Sequence, residues 1–233
     1  IVANGVTVTE NFSSAPSASD WSTASMGTNS NGSVTTVAQM DTAVNSGIGL
    51  GPPPATNNVS PFTSSTATNA PAAASAYGTS LAARYNSAAG TLFTQPTNNF
   101  YTALMATVTN ATGGMLTSLT LAYDLTVTKN GSGSEGVLAG HRVYFSTTGL
   151  AGSWTNVPDA NGVEATGNVT ATIGNLSWAA GANLYVLWAD DNGTVVADDT
   201  LAIDNVSWTA VPEPSSVLLA GFGVMTILRH RRR

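Results

Sequence analysis

Short segments rich in β-branched and aromatic residues recur through the second half of the chain, and they constrain the fold more than any other feature. Their apolar and polar positions partly alternate, and turns containing Gly, Asn or Asp separate them. No stretch of apolar residues at helical spacing interrupts them. The pattern predicts an all-β fold, an antiparallel β-sandwich. The segments predicted to form strands are 101–108, 116–128, 141–147, 154–157, 169–173, 183–189 and 201–208.

The opening of the chain predicts one more strand. Val6, Val8 and Glu10 alternate with threonines, as in a half-buried strand. A chain of 233 residues is long enough for one sizeable β domain and a tail. Residues 1–209 are assigned to that domain.

The segment 13–80 is the least informative. It is rich in Ser, Ala, Thr and Asn and contains three consecutive prolines, so we expect long loops there. A short strand is predicted near Val34–Met40. The first residue is Ile1, not Met, so the chain is expected to be a processed or trimmed form without its leader.

The charges are few and unevenly placed. Only 9% of the residues are charged. The chain contains no cysteine, which excludes disulfides and thiolate metal sites. Residues 1–214 hold all 13 acids against three bases, Arg84, Lys129 and Arg142, which gives −10. The other four bases are arginines within the last five residues. This acidic body argues against a nucleic-acid partner, which requires a cationic face.

The tail combines an extended entry, a short apolar run and a basic end. Pro212 and Pro214 disfavour a helix, whereas Ser215 can cap one. Residues 215–228 would form a helix of about 21 Å at 1.5 Å per residue, shorter than a hydrocarbon core of ~30 Å. Length alone favours a buried or interfacial helix. The terminal position and the arginines that follow favour a single short transmembrane helix, because arginine stems can snorkel.

These parts occur in the order of a known sorting signal. The tripeptide is Pro212, Glu213 and Pro214, and the basic end 229–233 consists of Arg229, His230, Arg231, Arg232 and Arg233. Residues 210–233 resemble the PEP-CTERM sorting signal. The resemblance implies recognition and cleavage near the tripeptide by an exosortase-type processing enzyme, a transient inner-membrane anchor, and export in a Gram-negative bacterium that makes extracellular polysaccharide or biofilm.

The body has a looser resemblance. It is carried by segments 110–113, 119–124, 184–191 and 201–206. Together they are similar to lectin-type jelly-roll modules of PEP-CTERM proteins. The resemblance implies a jelly-roll-like sandwich in which the first and last strands lie near each other, and it implies no defined activity.

Acidic residues cluster near the end of the body. Asp190 and Asp191 are followed by further aspartates at 198, 199 and 204. Carboxylates at loop ends suit calcium, which prefers six to eight oxygen ligands. In proteins resembling carbohydrate-binding jelly rolls, an acid of the first strand and one of the last often hold a structural calcium, positions occupied here by Glu10 and Asp204. The alternative is that these residues form turns and a solvated edge, with Asp204 bonding backbone amides at a bend.

Several aromatic residues could stack on sugar rings. Trp188 and Trp208 lie within apolar strand segments, so core packing is expected for them. Trp154 follows Gly152 and Ser153 in a turn, which makes it the candidate for an exposed glycan contact.

No residue pattern predicts catalysis. The only histidine of the body, His141, begins a strand, and no Gly-x-Ser-x-Gly elbow accompanies it. A surface or structural role is expected for it, and the chain is predicted not to be an enzyme. The leading hypothesis is an exported cell-surface or extracellular-matrix protein. The alternatives are a carbohydrate-binding module for extracellular polysaccharide, with or without calcium, and a glycan-active enzyme that would need two carboxylates in a groove.

Overall fold

The computed structural model describes residues 1–3, 6–17, 19–26, 34–47, 60–61, 83–96, 101–129, 138–192 and 198–210. Within these ranges the chain forms one α-helix, α1 (Val37–Gly47), a short 3-10 helix (Pro158–Ala160) and twelve β-strands. The strands are β1 (Thr7–Glu10), β2 (Trp21–Met26), β3 (Ser60–Pro61), β4 (Arg84–Asn86), β5 (Thr91–Thr94), β6 (Tyr101–Thr109), β7 (Leu119–Thr128), β8 (Arg142–Ser146), β9 (Thr155–Asn156), β10 (Gly167–Ile173), β11 (Asn183–Asp191) and β12 (Thr200–Ala210).

The strands form two antiparallel sheets of six. Sheet A has the order β10-β7-β12-β5-β4, and β1 pairs with the second half of β12. Sheet B has the order β3-β2-β6-β11-β8-β9. The predicted all-β antiparallel sandwich is confirmed. The expectation that the first and last strands lie together is also confirmed, since Thr7 pairs with Thr209 and Glu10 with Val206.

The inter-sheet core is built by the period-two alternation of both sheets. In β11 the side chains of Leu184, Val186 and Trp188 belong to this core. Trp188 lies at its centre, stacked on Trp21 at 5.8 Å and meeting Tyr123 edge to face at the same distance. The core packing expected for Trp188 and Trp208 from the sequence is confirmed.

The other face of sheet B carries a second core beneath α1. Met40 and Val44 of the helix pack with residues of β6, β8 and β11, among them Leu187 and Ala189. The short strand predicted near Val34–Met40 is therefore wrong. Residues 37–40 form the start of α1, and residues 34–36 precede it. Residues 37–40 are helical because Met40 and Val44, four residues apart in α1, cover sheet B.

A local signal for this helix is present in the sequence. Thr36 precedes the first helical residue, and its Oγ1 accepts a hydrogen bond from Gln39 N at 3.2 Å. The Gln39 side chain reaches back, so that its Oε1 accepts from Thr35 N at 2.7 Å. A threonine followed three residues later by glutamine is a capping-box pattern. This pattern marks the start of α1 where hydrophobic periodicity alone is weak.

The predicted tail lies outside the described residues. This holds for the tripeptide Pro212–Pro214, the apolar run 215–228 and the basic end 229–233. Across the ranges that the structure describes, no helix combines the length and apolarity needed to cross a membrane.

Candidate functional site

An open groove of about 570 Å³ runs between the edges of the two sheets. One wall is β9 at the edge of sheet B, and the other is the end of β10 at the edge of sheet A with the turn that follows it. We call it the edge groove. Its apolar lining consists of Phe145, Val157, Pro158, Ile173 and Leu176. A cavity of this volume is in the range of small-ligand sites.

The rim of the edge groove carries uncharged polar side chains. They are Thr147, Thr155, Thr172, Asn175 and Ser177, and all are exposed. Within the described part of the chain, no protein group hydrogen-bonds to these five side chains. Their hydroxyls and carboxamide are therefore available to a ligand.

One wall of the groove is fixed by a pair of amides. Asn161 Nδ2 donates to Asn156 Oδ1 at 2.8 Å, and Asn156 Nδ2 donates to Val143 O at 2.9 Å. Asn161 Oδ1 in turn accepts from Val143 N at 2.8 Å. This network ties β9 to β8 and holds Asn156 in one orientation.

The opposite wall is a tight turn. Asn175 adopts a left-handed backbone conformation with φ 55°, which asparagine tolerates better than most residues. The turn is anchored on both sides, because Leu176 N donates to Thr117 O at 2.9 Å and Trp178 N to Leu116 O at 3.1 Å. The Asn175 side chain is thus presented from a fixed backbone.

The acidic pair predicted to bind calcium does not converge. Asp190 and Asp191 end β11 and are 1% and 3% exposed. Because side chains alternate along the strand, Asp190 continues the inner face of Trp188, and Asp191 continues the face that packs under α1. The alternative of a solvated turn is wrong for both residues, since both are buried.

The other two predicted calcium residues also lie apart in register. Glu10 pairs with Val206, whereas Asp204 pairs with Asp124 across β12 and β7. Asp204 Oδ1 accepts from Asn205 N at 2.7 Å, at the point where the register shifts. This confirms the role of Asp204 at a bend in the strand. In the residues described here, no group of three or more acids and histidines could hold a metal ion, so structural calcium stays a prediction.

Asp124, Asp204 and Asn205 form a small polar cluster on the outer face of sheet A. Asn205 Nδ2 donates to Asp124 Oδ2 at 2.9 Å, and this bond, with a second from Asn168, lowers the pKa of Asp124. Burial, together with the charge of Asp124, raises the pKa of Asp204 although the Asn205 amide opposes this. The two carboxylates are therefore not equivalent.

His141 has the structural role expected from the sequence. It is 2% exposed, and its Nε2 lies 2.8 Å from Thr94 Oγ1, which joins sheet B to sheet A. Burial lowers the pKa of His141 to about 3, so the imidazole is neutral in the folded protein. Neither its Nδ1 nor the Oε1 of Gln95, the residue after Thr94, has a hydrogen-bond partner in the described ranges.

The exposed position expected for Trp154 is wrong. The indole is 5% exposed and belongs to the second core, under α1. Its backbone N donates to Asn45 Oδ1 at 3.1 Å, so the helix holds the turn that carries it. A glycan cannot stack on a ring buried in this way. The sequence did not reveal the burial because the helix that covers Trp154 was not predicted.

The edge groove was also missed in the sequence. Its residues come from two segments, 145–158 and 172–177, that meet only in the folded protein. The Gly174-Asn175 pair is a turn signal, yet it does not indicate a binding site by itself.

Comparison with known proteins identifies the tail. Residues 210–233 match the PEP-CTERM protein-sorting motif. The predicted sorting signal is thereby confirmed. The motif indicates an exported protein sorted by its C-terminal signal, an exosortase-type processing enzyme as its partner, and a membrane-anchored intermediate before surface localisation.

The body has only distant structural similarities. The enzymatically active domain of tailspike protein 4 from bacteriophage CBA120 is 10% identical with a TM-score of 0.31, and the match covers 52% of this chain and 15% of that one. The K3 cleaved adhesin domain of Lys-gingipain from Porphyromonas gingivalis W83 is 16% identical with a TM-score of 0.36, over 88% and 98% of the two chains. The K2 cleaved adhesin domain of Lys-gingipain is 14% identical with a TM-score of 0.35, over 89% and 100%. No curated protein matches the sequence.

Proposed function

We propose that the body is a non-catalytic cell-surface or extracellular-matrix module of a Gram-negative bacterium. In this proposal the helix 215–228 and the arginines after it hold the protein briefly in the inner membrane. An exosortase-type enzyme then cleaves near Pro212–Pro214, and the body is sorted outward.

The observation that carries the proposal is that the last described strand ends where the sorting motif begins. β12 lies inside sheet A, and its last pairing is Ala210 with Leu119. The sorting motif begins at residue 210, so cleavage near the tripeptide removes none of the twelve strands. A sandwich that keeps every described strand after cleavage is suited to function away from its anchor.

The proposal includes a jelly-roll topology for the body. The strand orders β1-β12-β7-β10 and β6-β11-β8-β9 support it. Numbered along the chain, these eight strands have the orders 1-8-3-6 and 2-7-4-5, which two Greek keys produce.

The test is the intact mass of the protein recovered from surface and medium of an exosortase-containing Gram-negative host. We expect a body that ends near Pro212–Ser215 and lacks the apolar run. Glu213→Ala should leave the full-length mass in the membrane fraction, whereas the control Glu164→Ala, an exposed acid of the body, should be processed normally. Wild-type protein recovered only at full length in the membrane would refute the sorting part of the proposal.

A further inference from the structure

We propose that the edge groove binds an uncharged oligosaccharide segment. This deepens the proposed extracellular role and rests on it only for the source of the ligand, an extracellular polysaccharide. Binding by purified protein is independent of processing in the host, so the two proposals can fail separately.

The lining of the groove matches the two chemical faces of a sugar. A pyranose ring presents an apolar C–H face and a periphery of hydroxyls. The groove offers apolar surface from the half-buried Phe145 ring and from the exposed Pro158, and a rim with hydroxyls at Thr155 and Thr172 and an amide at Asn175. Hydroxyls and carboxamides both donate and accept, as saccharide hydroxyls require.

The groove is preorganised for a ligand. Asn156 is held by Asn161, and the turn carrying Asn175 is anchored by the backbone bonds of Leu176 and Trp178. Binding therefore orders few protein groups, which lowers the entropic cost of association. The free rim groups are the ones that a ligand would engage.

Charge selects the class of saccharide. Among the described residues, no acidic, basic or histidine side chain lines the groove. The surrounding body carries a net charge of −10, from three bases and 13 acids in residues 1–214, and repels polyanions. A neutral glycan suits an uncharged groove and is not repelled by the acidic body. An anionic glycan would meet no cationic side chain among the described lining residues and would be repelled by the body.

Two glycines at the ends of β10 provide a matched test. A Cβ at either Gly174 or Gly167 meets no atom within 4 Å, and neither glycine has a left-handed backbone. Gly174 lines the groove, whereas Gly167 begins the strand at its other end. Gly174→Glu should fill the groove with a charged side chain, and Gly167→Glu adds the same charge outside it.

The experiment is native gel electrophoresis of the full chain in gels containing soluble polysaccharide, with a detergent that lacks a sugar headgroup. The probes are laminarin, dextran and galactomannan as neutral polymers and alginate as the anionic comparator. We expect at least one neutral polymer to retard wild type and Gly167→Glu equally, and Gly174→Glu to bind at least 10-fold more weakly. Thermal melting of each variant identifies any that fails to fold.

Milder variants test individual rim groups. Thr172→Val keeps the shape and strand preference but removes the hydroxyl, and Asn175→Gly keeps the left-handed backbone but removes the amide. Each should weaken binding about 2- to 10-fold, the range for one hydrogen bond. The proposal is overturned by retardation in alginate alone, by no retardation in any neutral polymer, or by Gly174→Glu and both mild variants binding like wild type.

Discussion

Arg142 and Asp41 form a two-pronged ion pair that fastens α1 to the outer face of sheet B. Arg142 Nε lies 2.7 Å from Asp41 Oδ1, and Arg142 Nη2 lies 2.9 Å from Oδ2. The Tyr144 hydroxyl also donates to Asp41 Oδ1 at 2.7 Å. Arg142 and Tyr144 point to the same side of β8, so one strand supplies both partners of the helical carboxylate. The ion pair thereby holds α1 over the second core, and α1 in turn buries Trp154.

Breaking this pair should loosen the helix. We expect Asp41→Asn to lower the free energy of unfolding by about 1 kcal/mol, because a bidentate, partly exposed pair is stronger than a simple surface pair. Urea unfolding followed by tryptophan fluorescence measures it. Asp159→Asn, at an exposed acid of the 3-10 helix, should change stability by less than about 0.5 kcal/mol. Equal effects of the two substitutions would contradict a special role for the pair.

Acid should abolish the contribution of Asp41. Burial raises the pKa of this carboxyl, but the hydrogen bonds from Arg142 and Tyr144 outweigh burial, and the pKa lies below 3.8. The stabilisation is therefore fully present above pH 3.8 and is lost as the pH falls through the lowered pKa. The difference in melting temperature between wild type and Asp41→Asn should shrink as the pH falls below 3.8. A difference that stays constant to pH 2 would contradict this titration.

The buried His141 predicts a second pH dependence, at higher pH. Its pKa is 6.5 when unfolded and about 3 when folded, so its stabilisation is complete above pH 6.5 and declines as the pH falls toward 3. Stability should fall by about 1.2 kcal/mol between pH 6 and pH 5, because the unfolded imidazole is already mostly protonated there. His141→Gln should flatten that slope. Urea titrations at pH 7, 6 and 5 measure the slope, and an unaltered slope in His141→Gln would assign it to other groups.

The strands that the sequence predicted well are long ones in which apolar and polar residues alternate. β7 and β12 lie within or close to the segments 116–128 and 201–208, because their inner residues are β-formers that bury one face. α1 was missed because Met40 and Val44 are its only two fully buried apolar residues, too few for a recognisable stripe. Because α1 was not predicted, Trp154 was wrongly expected to be exposed. Burial by a segment that is distant in the sequence leaves no signal in the residues around the tryptophan.

The pairing of distant strands within a sheet could not be predicted from the sequence either. Asp190 and Asp191 resemble turn residues in the sequence, yet β11 continues through both because β6 pairs with them at Thr102 and Tyr101. The edge groove likewise depends on which strands become edges. The sorting tail is the opposite case, because its signal is contiguous in sequence and needs no fold to be recognised.

Asn110 should be among the most sensitive polar positions. It is fully buried, and its Nδ2 donates to Gly114 O and to Trp178 O, both at 2.9 Å. Its Oδ1 accepts from Thr112 N at 3.0 Å, which closes the loop after β6. Asn110→Ala leaves these groups without their partner and should lower the unfolding free energy by about 2–3 kcal/mol.

The control for Asn110 is Asn11→Ala. Asn11 is exposed and makes one local bond, from Ser13 N to its Oδ1 at 3.2 Å. We expect a loss below about 0.5 kcal/mol for this variant by urea unfolding. A loss at Asn110 as small as that at Asn11 would mean that water replaces the buried bonds.

Substitution of Asp204 tests whether Asp124 and Asp204 are a carboxylate pair bridged by Asn205 or part of a cation site. Its raised pKa means that its charge destabilises the fold at neutral pH and that the penalty disappears as the pH falls through that pKa. Asp204→Asn keeps an acceptor for Asn205 N and removes the like charge facing Asp124, so it should stabilise the protein by about 0.5 kcal/mol at pH 7. The melting temperature is measured with calcium and with a chelator, and for a carboxylate pair bridged by Asn205 the chelator should have no effect. If Asp204 bound calcium, the substitution would destabilise the protein in calcium and the chelator would lower the melting temperature of wild type alone. The two accounts therefore predict opposite signs for one substitution.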